Sequence, residues 1–464
     1  MSDYLFADIP YHPDSSLLFD KFVDEPWSVF LDSNQPDAIH GRYDIISARP
    51  KICITSKNNK NIIESRLDSL SIPGEPFSVL KDYLPQAEIK DNSLKLPFVG
   101  GAIGYFGYDL GRSVEKLPSI SQDDMNLPDM KVGIYSWAIL VDHQKKKTVI
   151  VGDKSDIHMR HDWSDLVKFI TSKSDKNRQA FNVLSNVESN LSKAEYSEAF
   201  KKIKSYIREG DCYQVNLAQR FNANVEGDVW LAYCKLRSIN PSPFSAYLNY
   251  SDFQILSNSP ERFLSVKDKF VQTKPIKGTR PRSKNSNQDQ ALLQELVSSK
   301  KDQAENVMIV DLLRNDISKN CALGSVKVPK LFDIESYPNV HHMVSTITGK
   351  LRKHRNSIDL LRGSFPGGSI TGAPKLRAME IIEELEPHRR GIYCGAIGYI
   401  SNNGNMDTNI SIRTILHKDQ KMFFYAGGGI VFDSEVNAEY QETFDKAAAM
   451  MKVLNLGQQH AQNK

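Results

Sequence analysis

Residues 211–225 read Asp-Cys-Tyr-Gln-Val-Asn-Leu-Ala-Gln-Arg-Phe-Asn-Ala-Asn-Val, and this stretch gives the clearest indication of the fold. Apolar and polar side chains alternate along it, with Val215, Leu217 and Phe221 set against Asn216, Arg220 and Asn222. A period of two is typical of a β-strand with one face towards a core and the other towards water. The stretch therefore predicts a strand with one dry and one wet face.

A β-hairpin is predicted between residues 391 and 417. An apolar run continues through Tyr399, and the turn Asn402-Asn403-Gly404-Asn405 follows it. Turn residues of this kind between two strand-like runs are typical of a hairpin. In the second run, two apolar residues alternate with three polar ones, namely Ile410 and Ile412 with Asn409, Ser411 and Arg413. We therefore expect Arg413 to project among polar neighbours.

The pattern along the chain predicts two large regions. Residues 1–170 show short β-like runs, which predict a strand-rich region. Residues 171–193 are rich in Ser, Lys, Asp and Asn, as expected of an exposed linker. Residues 194–456 alternate strands with helical patterns, at 196–209 and 289–313, and form the second predicted region. Residues 457–464 form a polar tail.

The last predicted helix is amphipathic. Its apolar stripe consists of Tyr440, Phe444, Ala447, Met451 and Leu454. Glu439, Glu442 and Lys446 fall together on the opposite face, because residues three and four apart share one side of a helix.

The bulk composition excludes several classes of protein. The 464 residues are 40% hydrophobic and 25% charged, with 59 Lys and Arg against 56 Asp and Glu and a formal charge of +3. This is a globular composition without a basic stripe for nucleic acid. No stretch of 18 apolar residues occurs, so we expect no membrane contact and no export signal. Five scattered cysteines without a C-x-x-C pair indicate reduced thiols and a cytoplasmic protein.

Two residues are candidates for acid–base or nucleophilic chemistry. Lys277 lies in Thr-Lys-Pro-Ile-Lys-Gly-Thr, where a lysine beside apolar residues can be desolvated and become nucleophilic. Glu261 lies in Ser-Asn-Ser-Pro-Glu-Arg-Phe after an apolar run, and a carboxyl partly removed from water can act as a general acid. On the residues alone, a surface turn for Lys277 and a surface ion pair with Arg262 for Glu261 remain open.

Glu305 and Glu442 are candidate ligands of Mg²⁺. Both lie on predicted helices, and Mg²⁺ commonly takes one or two carboxylates together with waters and an anionic substrate. Their spacing does not establish a metal site. A solvated helix face that includes Glu439 remains the alternative.

Two glycine-rich segments are candidate anion sites. Gly-Gly-Ser-Ile-Thr-Gly-Ala-Pro-Lys, residues 367–375, opens a helix whose free N–H groups suit a carboxylate. Ala373 stands where a nucleotide-binding P-loop needs lysine. Ala-Gly-Gly-Gly-Ile, residues 426–430, ends a strand and predicts either close approach of a ligand or a β-bulge. His342 is a candidate to orient a carboxylate or hydroxyl, with a buried structural histidine as the alternative.

Three long motifs together resemble the chorismate-utilising enzymes. They are Lys-Asp-Gln-Ala-Glu-Asn-Val-Met-Ile-Val-Asp-Leu-Leu-Arg-Asn-Asp at 301–316, the glycine-rich segment at 367–375, and Ala-Glu-Tyr-Gln-Glu-Thr-Phe at 438–444. Gly-Gly-Ala-Ile-Gly-Tyr-Phe-Gly-Tyr-Asp at 100–109 extends the resemblance to the N-terminal region, residues 1–170. The resemblance implies that residues 194–456 are the chorismate-binding catalytic domain. The resemblance implies an α+β fold in which two large antiparallel β-sheets pack face to face, with helices outside and the active site between the sheets.

The resemblance also implies roles for individual residues. Glu305 and Glu442 would hold Mg²⁺, Lys277 would be the covalent nucleophile, and Glu261 the general acid. The substrate chorismate would be held by Tyr393, Arg413, Gly428, Gly429, the backbone of Thr371, Gly372 and Ala373, and by His342 and Lys446.

Lys277 points to one branch of the family. Anthranilate synthase components are similar to this chain but resemble Pro-Ile-Ala-Gly-Thr at that place, and they add ammonia at C2. A covalent lysine is needed for net substitution at C4, so the resemblance implies C4 amination for 4-aminobenzoate and folate synthesis. No Cys-His amidotransferase arrangement is visible, so a separate glutaminase subunit is expected to supply the ammonia. Anthranilate or isochorismate formation, and a catalytically silent sensor of aromatic metabolites, remain as alternatives.

A tryptophan site is the last expectation. Leu31, Ser33, Tyr43, Pro243 and Phe244 resemble the residues of the family's tryptophan site. Asp32 departs from the glutamate usual in inhibited relatives, so regulation by tryptophan is doubtful here, and ordinary core and loop residues are the alternative.

Overall fold

A computed structural model describes residues 3–35, 41–84, 95–172, 177–337 and 340–461. Its strands up to residue 189 are β1 (Tyr4–Ile9), β2 (Ser28–Asp32), β3 (Tyr43–Ser47), β4 (Ile52–Lys57), β5 (Lys60–Ser65), β6 (Ser69–Pro73), β7 (Gly101–Phe106), β8 (Met130–Tyr135), β9 (Trp137–Asp142), β10 (Lys147–Asp153), β11 (Asn182–Val183) and β12 (Glu188–Ser189). The later strands are β13 (Gln214–Glu226), β14 (Phe244–Asn249), β15 (Gln254–Ser259), β16 (Arg262–Lys267), β17 (Phe270–Thr273), β18 (Ile276–Pro281), β19 (Lys327–Ser336), β20 (Val340–Lys350), β21 (Gly372–Ala373), β22 (Ala396–Ser401), β23 (Met406–Ile410), β24 (Thr414–Lys418) and β25 (Lys421–Ile430).

Ten α-helices accompany these strands in the described residues. They are α1 (Ser16–Phe19), α2 (Pro76–Asp82), α3 (Ile157–Thr171), α4 (Lys193–Glu209), α5 (Val229–Ile239), α6 (Ser286–Ser298), α7 (Lys300–Ser318), α8 (Ser357–Ser364), α9 (Lys375–Leu385) and α10 (Val436–Ala461). Short 3-10 helices cover Tyr108–Ser113 and Gly368–Ile370. No helix of the described residues combines the length and apolar character needed to span a membrane.

The strands form two large antiparallel sheets. The first runs β1-β10-β9-β3-β2-β14-β15-β24-β25-β13-β11, with β12 and β21 also paired to β13. The second runs β18-β20-β17-β16-β23-β22-β7-β8-β4-β5-β6, with β19 paired to β20. Both sheets take strands from before residue 170 and from after residue 194. The division into two regions, with a linker at 171–193 that contains β11 and β12, stays a prediction.

The main apolar core lies between the two sheets. It joins residues of the first sheet, such as Val29 and Ile255, to residues of the second, such as Ile103 and Leu264. Two further clusters pack helices against the first sheet. One brings together α3, α5 and α10, and the other brings together α4 and α9. The expected α+β fold, with two antiparallel sheets face to face and helices outside, is confirmed.

The predicted strand at 211–225 is β13, but its polar face is not wet. Val215 and Leu217 pack against α4 and α9 as expected. On the other face, Gln214 and Asn216 are also buried, and Arg220 is buried in an ion pair with Asp124. The expectation of a solvated face is wrong for Asn216 and Arg220, because Arg390 and Asp124 cover them, while Asn222 is only half-buried.

Local signals explain the helix boundaries. Ser192 and Glu195 form a capping box at the start of α4, and Gly210 ends the helix with a φ of +83°. The helix predicted at 289–313 is divided into α6 and α7, because Ser299 leaves the helical conformation and its side chain caps Asp302. Glu305 therefore lies on the second of the two helices, α7.

The predicted hairpin is confirmed only as far as residue 410. β22 and β23 pair with Gly398 opposite Thr408 in the second sheet. β24 instead belongs to the first sheet, so residues 411–413 cross from one sheet to the other. Arg413 takes a φ of +50°, a conformation that non-glycine residues rarely adopt. Its predicted place within a regular strand is therefore wrong.

Candidate active site

Lys277 lies at a bulge in β18. Ile276 pairs with Val344, but the next pair joins Thr279 to His342, so Lys277 and its glycine neighbour share one position opposite β20. The side chain is half-buried. The alternative of a surface turn is wrong, because the bulge lies within a sheet and turns the lysine out of the regular ladder.

Gly278 makes the bulge possible. Its φ is +84°, and a Cβ at this position would lie 2.9 Å from Leu296 Cδ1 of α6. Glycine alone combines this backbone conformation with so close a neighbour. The sequence Lys-Gly therefore places the lysine and also lets α6 cover the strand.

The Lys277 amine is held in a partly desolvated site. Its Nζ donates a hydrogen bond to the backbone oxygen of Ser369 at 3.3 Å. Burial lowers the pKa of Lys277, and the nearby Lys446 lowers it further, while the carboxylates of Glu305 and Glu261 oppose the change. A lower pKa raises the share of neutral amine, which is the nucleophilic form.

Glu261 lies between β15 and β16 and is only 7% exposed. Burial raises its pKa, with the Lys277 ammonium and a hydrogen bond from Ser369 opposing the change. Arg262 does not pair with it, since the guanidinium of Arg262 binds Asp407 at 2.9 Å. The surface ion pair is therefore wrong, and Glu261 is a buried carboxyl of raised pKa, as a general acid requires.

Ser369 joins these two groups, and sequence reasoning did not single it out. Its hydroxyl donates to Glu261 Oε1 at 2.9 Å, while its backbone oxygen accepts the hydrogen bond from Lys277. The residue is buried in the 3-10 helix Gly368–Ile370. Lys277 and Glu261 therefore both form hydrogen bonds with Ser369 of the glycine-rich segment. Nothing in the sequence around Ser369 indicated this role.

Glu305 and Glu442 approach the same site from α7 and α10. Burial raises the pKa of Glu305, and the carboxylate of Glu442 adds to the effect. Burial also disfavours the charge of Glu442, but Lys446 at 2.6 Å outweighs it and holds the pKa of Glu442 below its usual value. Lys446 also donates to the backbone oxygen of Gly427 at 2.9 Å.

Glu439 is a further carboxyl beside this pair. It is 5% exposed, accepts a hydrogen bond from Ser434 at 2.7 Å, and has a raised pKa because of burial. The alternative of a solvated helix face is therefore wrong for Glu439, whereas the side chains of Glu442 and Lys446 are 46% and 44% exposed. The i, i+3 spacing of the two glutamates could not show which of them is buried.

Glu305 and Glu442 suit a Mg²⁺ site that the protein forms together with the substrate and water, not one made of protein ligands alone. In the described residues, no group of three or more His, Cys, Asp or Glu side chains is arranged to hold a metal ion. Two carboxylates from different helices, each partly desolvated and each near the other, match the one or two that Mg²⁺ commonly takes from a protein. Substrate oxygens and waters would supply the remaining ligands.

Arg413 is a cation without a protein counter-charge. Its guanidinium has no hydrogen bond or ion pair with the residues that the structure describes, and burial lowers its pKa. Burial also lowers the pKa of His342 to about 4, with Arg413 adding to the effect, so His342 is neutral. The Nδ1 atom of His342 lies 2.8 Å from the hydroxyl of Thr279. A desolvated, unpaired arginine beside a neutral histidine suits an anionic ligand.

Thr371, Gly372 and Ala373 lie beside β13. Gly372 has a φ of +147°, and a Cβ there would lie 2.1 Å from the backbone oxygen of Gln214. Thr371 is fully buried, and its hydroxyl donates to the backbone oxygen of Gly367, just before the 3-10 helix. The helix α9 begins at Lys375, so the segment 371–373 approaches the N-terminus of a helix as predicted.

Gly428 and Gly429 leave room for side chains of the protein itself. A Cβ at Gly428 would lie 3.0 Å from a carboxylate oxygen of Glu439, and one at Gly429 would lie 2.7 Å from Nε2 of Gln214. Close approach therefore explains both glycines. A binding role for their backbone stays a prediction.

Tyr393 is held from two sides. Its ring stacks on Tyr425 with the centroids 5.1 Å apart, and the Arg390 guanidinium lies 5.5 Å from its centroid. Arg390 is itself buried in an ion pair with Glu386 at 2.6 Å and donates to the backbone oxygen of Ile370. Sequence reasoning missed Arg390, which fixes both the tyrosine and the glycine-rich segment.

The predicted tryptophan site is a separate pocket between the sheets. Leu31, Ser33, Tyr43, Pro243 and Phe244 all line it, together with Arg262 and Asp407. The Asp32 carboxylate forms an ion pair with Arg237 at 2.9 Å and accepts a hydrogen bond from the Tyr233 hydroxyl at 2.9 Å. The five residues therefore share one pocket, while its occupant and any regulation stay predictions.

These observations define the class of protein. The family profile of chorismate binding enzymes matches residues 31–452. The chain belongs to the chorismate-binding enzyme family.

Particular relatives are similar over nearly the whole chain. Aminodeoxychorismate synthase component 1 of Escherichia coli is 47% identical, over 94% of this chain and 95% of that protein. Anthranilate synthase component 1 of Acetivibrio thermocellus is 39% identical, over 94% of this chain and 92% of that protein. Among solved structures, anthranilate synthase component I of Streptococcus pneumoniae superposes with a TM-score of 0.78 at 33% identity, covering 89% of this chain and 93% of that one.

Proposed function

We propose that the protein aminates chorismate at C4 and releases 4-amino-4-deoxychorismate, the precursor of 4-aminobenzoate for folate. The observation that carries the proposal is the arrangement of Lys277 and Glu261 around Ser369. One is an amine of lowered pKa and the other a carboxyl of raised pKa, within a chain of the chorismate-binding family. The similarity to aminodeoxychorismate synthase component 1 supports the same activity.

The reaction follows from the two protonation states. The neutral amine of Lys277 forms a bond to C2, the ring double bonds shift, and the C4–O bond breaks. Glu261 gives its proton to the departing hydroxyl, which leaves as water. Ammonia then forms a bond to C4, the C2–N bond to Lys277 breaks, and the Glu261 carboxylate takes up the proton that the new amine loses. The net change is chorismate plus ammonia to 4-amino-4-deoxychorismate plus water.

Binding of chorismate is assigned to the charged rim of the site. Arg413 and the backbone of Thr371, Gly372, Ala373, Gly428 and Gly429 bind carboxylates, while Tyr393, His342 and Lys446 complete the pocket. Glu305 and Glu442 would hold Mg²⁺, and the ion would supply positive charge to neutralise the ring carboxylate. Replacement of Glu305 by Gln, which cannot supply a negative charge to the ion, is expected to reproduce the loss of activity caused by EDTA. If Glu305→Gln kept parental activity and parental Mg²⁺ dependence, the metal assignment would be wrong.

Ammonia is proposed to come from a separate glutaminase subunit in the cytoplasm. The designation "component 1" of the relatives supports a partner component. The experiment is co-purification with a glutaminase of the same cell, followed by a test of glutamine as the nitrogen donor. The partnership would be wrong if the chain used ammonium salts but not glutamine, both alone and together with the glutaminase.

The covalent step is tested at Lys277. The chain is incubated with chorismate and Mg²⁺ but without ammonia, then digested and analysed by mass spectrometry. We expect an adduct on Lys277 with the mass of chorismate less water, and none in Lys277→Ala. Lys274→Ala is the matched control, because Lys274 lies three residues away in an ion pair with Glu335 and should leave the adduct unchanged. Parental rates of C4 amination by Lys277→Ala would refute the covalent role.

A further inference from the structure

Arg390 is a buried cation that binds more than its counter-ion. Its side chain is 1% exposed and forms an ion pair with Glu386 at 2.6 Å. Its Nε donates to the other oxygen of the same carboxylate at 2.8 Å. Removing two charges from water is unfavourable, and their attraction offsets this cost only where further hydrogen bonds satisfy the remaining donors. The partners of those remaining donors therefore indicate what Arg390 holds in place.

The remaining donors bind two backbone segments of the candidate active site. Nη1 of Arg390 donates to the backbone oxygen of Ile370 at 3.1 Å. Nη2 donates to the backbone oxygen and to the side-chain oxygen of Asn216 on β13, both at 3.1 Å. The backbone N–H of Asn216 in turn donates to the backbone oxygen of Thr371 at 2.8 Å. Arg390 and Asn216 together therefore orient two consecutive carbonyl groups, those of Ile370 and Thr371.

These two carbonyl groups directly follow Ser369. The Ser369 hydroxyl donates to Glu261 Oε1 at 2.9 Å, and its backbone oxygen accepts a hydrogen bond from Lys277 at 3.3 Å. Both contacts depend on the direction in which the backbone presents this one residue. Misplacement of reacting groups by a fraction of their contact distance lowers a reaction rate strongly. A change at the next peptide group would therefore disturb the acid and the nucleophile together.

The Arg390 guanidinium has little freedom to move. It lies 5.0 Å from the ring centroid of Tyr108 and 5.5 Å from that of Tyr393. The Glu386 carboxylate that binds it also accepts a hydrogen bond from the backbone N–H of Ala218 at 2.9 Å. A planar guanidinium held by two rings and by a fixed carboxylate presents its donors in fixed directions. The loop therefore takes its position from Arg390, rather than the reverse.

We propose that Arg390 is a positioning residue for the general acid and the nucleophile, and that it acts through Ser369. This inference rests on the proposed function, in which Glu261 and Lys277 carry the reaction. Arg390 holds the peptide groups that follow the serine, so that the serine reaches both side chains at once. Lysine cannot replace it, because one amine lacks the planar set of donors that binds a carboxylate and several carbonyl oxygens together.

Arg390→Lys tests the proposal, because lysine keeps the charge that pairs with Glu386 and loses the planar donors. The change is made in the parent and in Ser369→Ala, and kcat is measured against pH with chorismate and ammonia saturating. In the parent, we expect kcat to fall about 10-fold. We also expect the limb of the pH–rate profile that Glu261 governs, identified with Glu261→Gln, to move upwards towards its position in Ser369→Ala.

The Ser369→Ala background separates positioning from stability. In this background the hydroxyl contact with Glu261 is already absent, so Arg390→Lys should lower kcat less than about 3-fold and leave the limb in place. The charged groups that act on Glu261 are Lys277 and Lys446, and neither is changed in these variants. A movement of the limb in the parent background therefore reports on the contact with Ser369.

Arg178→Lys is the matched control. Arg178 is also largely buried, at 11% exposed, and binds Asp20 at 2.7 Å and Asp228 at 2.8 Å. Its partners lie at the ends of α1 and α5, so its replacement should lower the Tm and leave kcat and the limb unchanged. Arg390→Met combined with Glu386→Gln removes both charges and leaves no buried charge unpaired. This second variant is judged by the same two readouts if Arg390→Lys does not fold.

The outcomes separate this inference from the proposed function. An unchanged limb in Arg390→Lys overturns the positioning role, as does an equal loss of kcat in both backgrounds, since independent effects multiply. If the parent makes anthranilate instead of the C4 product, the proposed function fails, but kcat is measured on that product and the same comparison decides the role of Arg390. Absence of any aminated product from the parent overturns both.

Discussion

Replacement of Ser369 by Ala removes the hydrogen bond that the Ser369 hydroxyl donates to the Glu261 carboxyl. The Ser369 hydroxyl donates to Glu261 Oε1 at 2.9 Å and favours the ionised form of that carboxyl. A buried hydrogen bond to a charged group contributes about 1.5–3 kcal/mol. Because one pKa unit corresponds to about 1.4 kcal/mol, its loss should raise the pKa of Glu261 by about 1–2 units.

The sign of the effect makes the prediction specific. Loss of the hydrogen bond destabilises the carboxylate, so Glu261 stays protonated to higher pH, and the limb of the pH–rate profile that Glu261 governs should move upwards. If about half of the lost energy is felt in the transition state, kcat should fall about 3- to 10-fold. Glu261→Gln identifies the limb, because glutamine does not titrate in this range.

The assay is the pH dependence of kcat for the parent, Ser369→Ala and Ser369→Thr. Threonine retains the hydroxyl and should restore the parental limb. A limb that stays in place, or moves to lower pH in Ser369→Ala, would refute the assignment of Glu261 as an acid supported by Ser369.

One further prediction concerns substrate binding. Arg413→Met should raise the KM for chorismate by about 10- to 150-fold with a smaller effect on kcat, because a charged hydrogen bond of about 1.5–3 kcal/mol is lost on binding. Arg280→Met is the control, since Arg280 pairs with Glu295 and Asp302 and should leave the KM unchanged. Equal KM values for Arg413→Met and the parent would contradict the carboxylate role.

Sequence periodicity predicted the strand β13 and the hairpin of β22 and β23, because each pattern is local. The same period could not show that the polar face of β13 is buried, since the cover comes from segments far away in the chain. Asn216, for example, meets the guanidinium of Arg390 at 3.1 Å. The end of the strand before Arg413 could not be predicted either. Apolar and polar residues continue to alternate in the sequence where the chain crosses from one sheet to the other.

The site could be predicted only where a residue type carries its own chemistry. Lys277, Glu261, Glu305 and Glu442 stood out as ionisable groups within long motifs, and the structure brings them to one place. Ser369 gave no such signal. Its significance comes from its contacts with Glu261 and Lys277, which exist only in the folded chain.

Lys375 shows how two motifs depend on each other. Its amine binds Asp316 at 2.6 Å, and so ties the glycine-rich segment to α7, the helix that carries Glu305. Both residues belonged to the sequence motifs, but their pairing across 59 residues was not readable from the spacing.

The position of the new amine in the product distinguishes amination at C4 from amination at C2. The purified chain is incubated with chorismate, Mg²⁺ and ¹⁵N-labelled ammonium, and the product is identified by NMR. We expect ¹⁵N bonded to C4 of a product that keeps its enolpyruvyl group. Nitrogen at C2, or anthranilate as the main product, would contradict it.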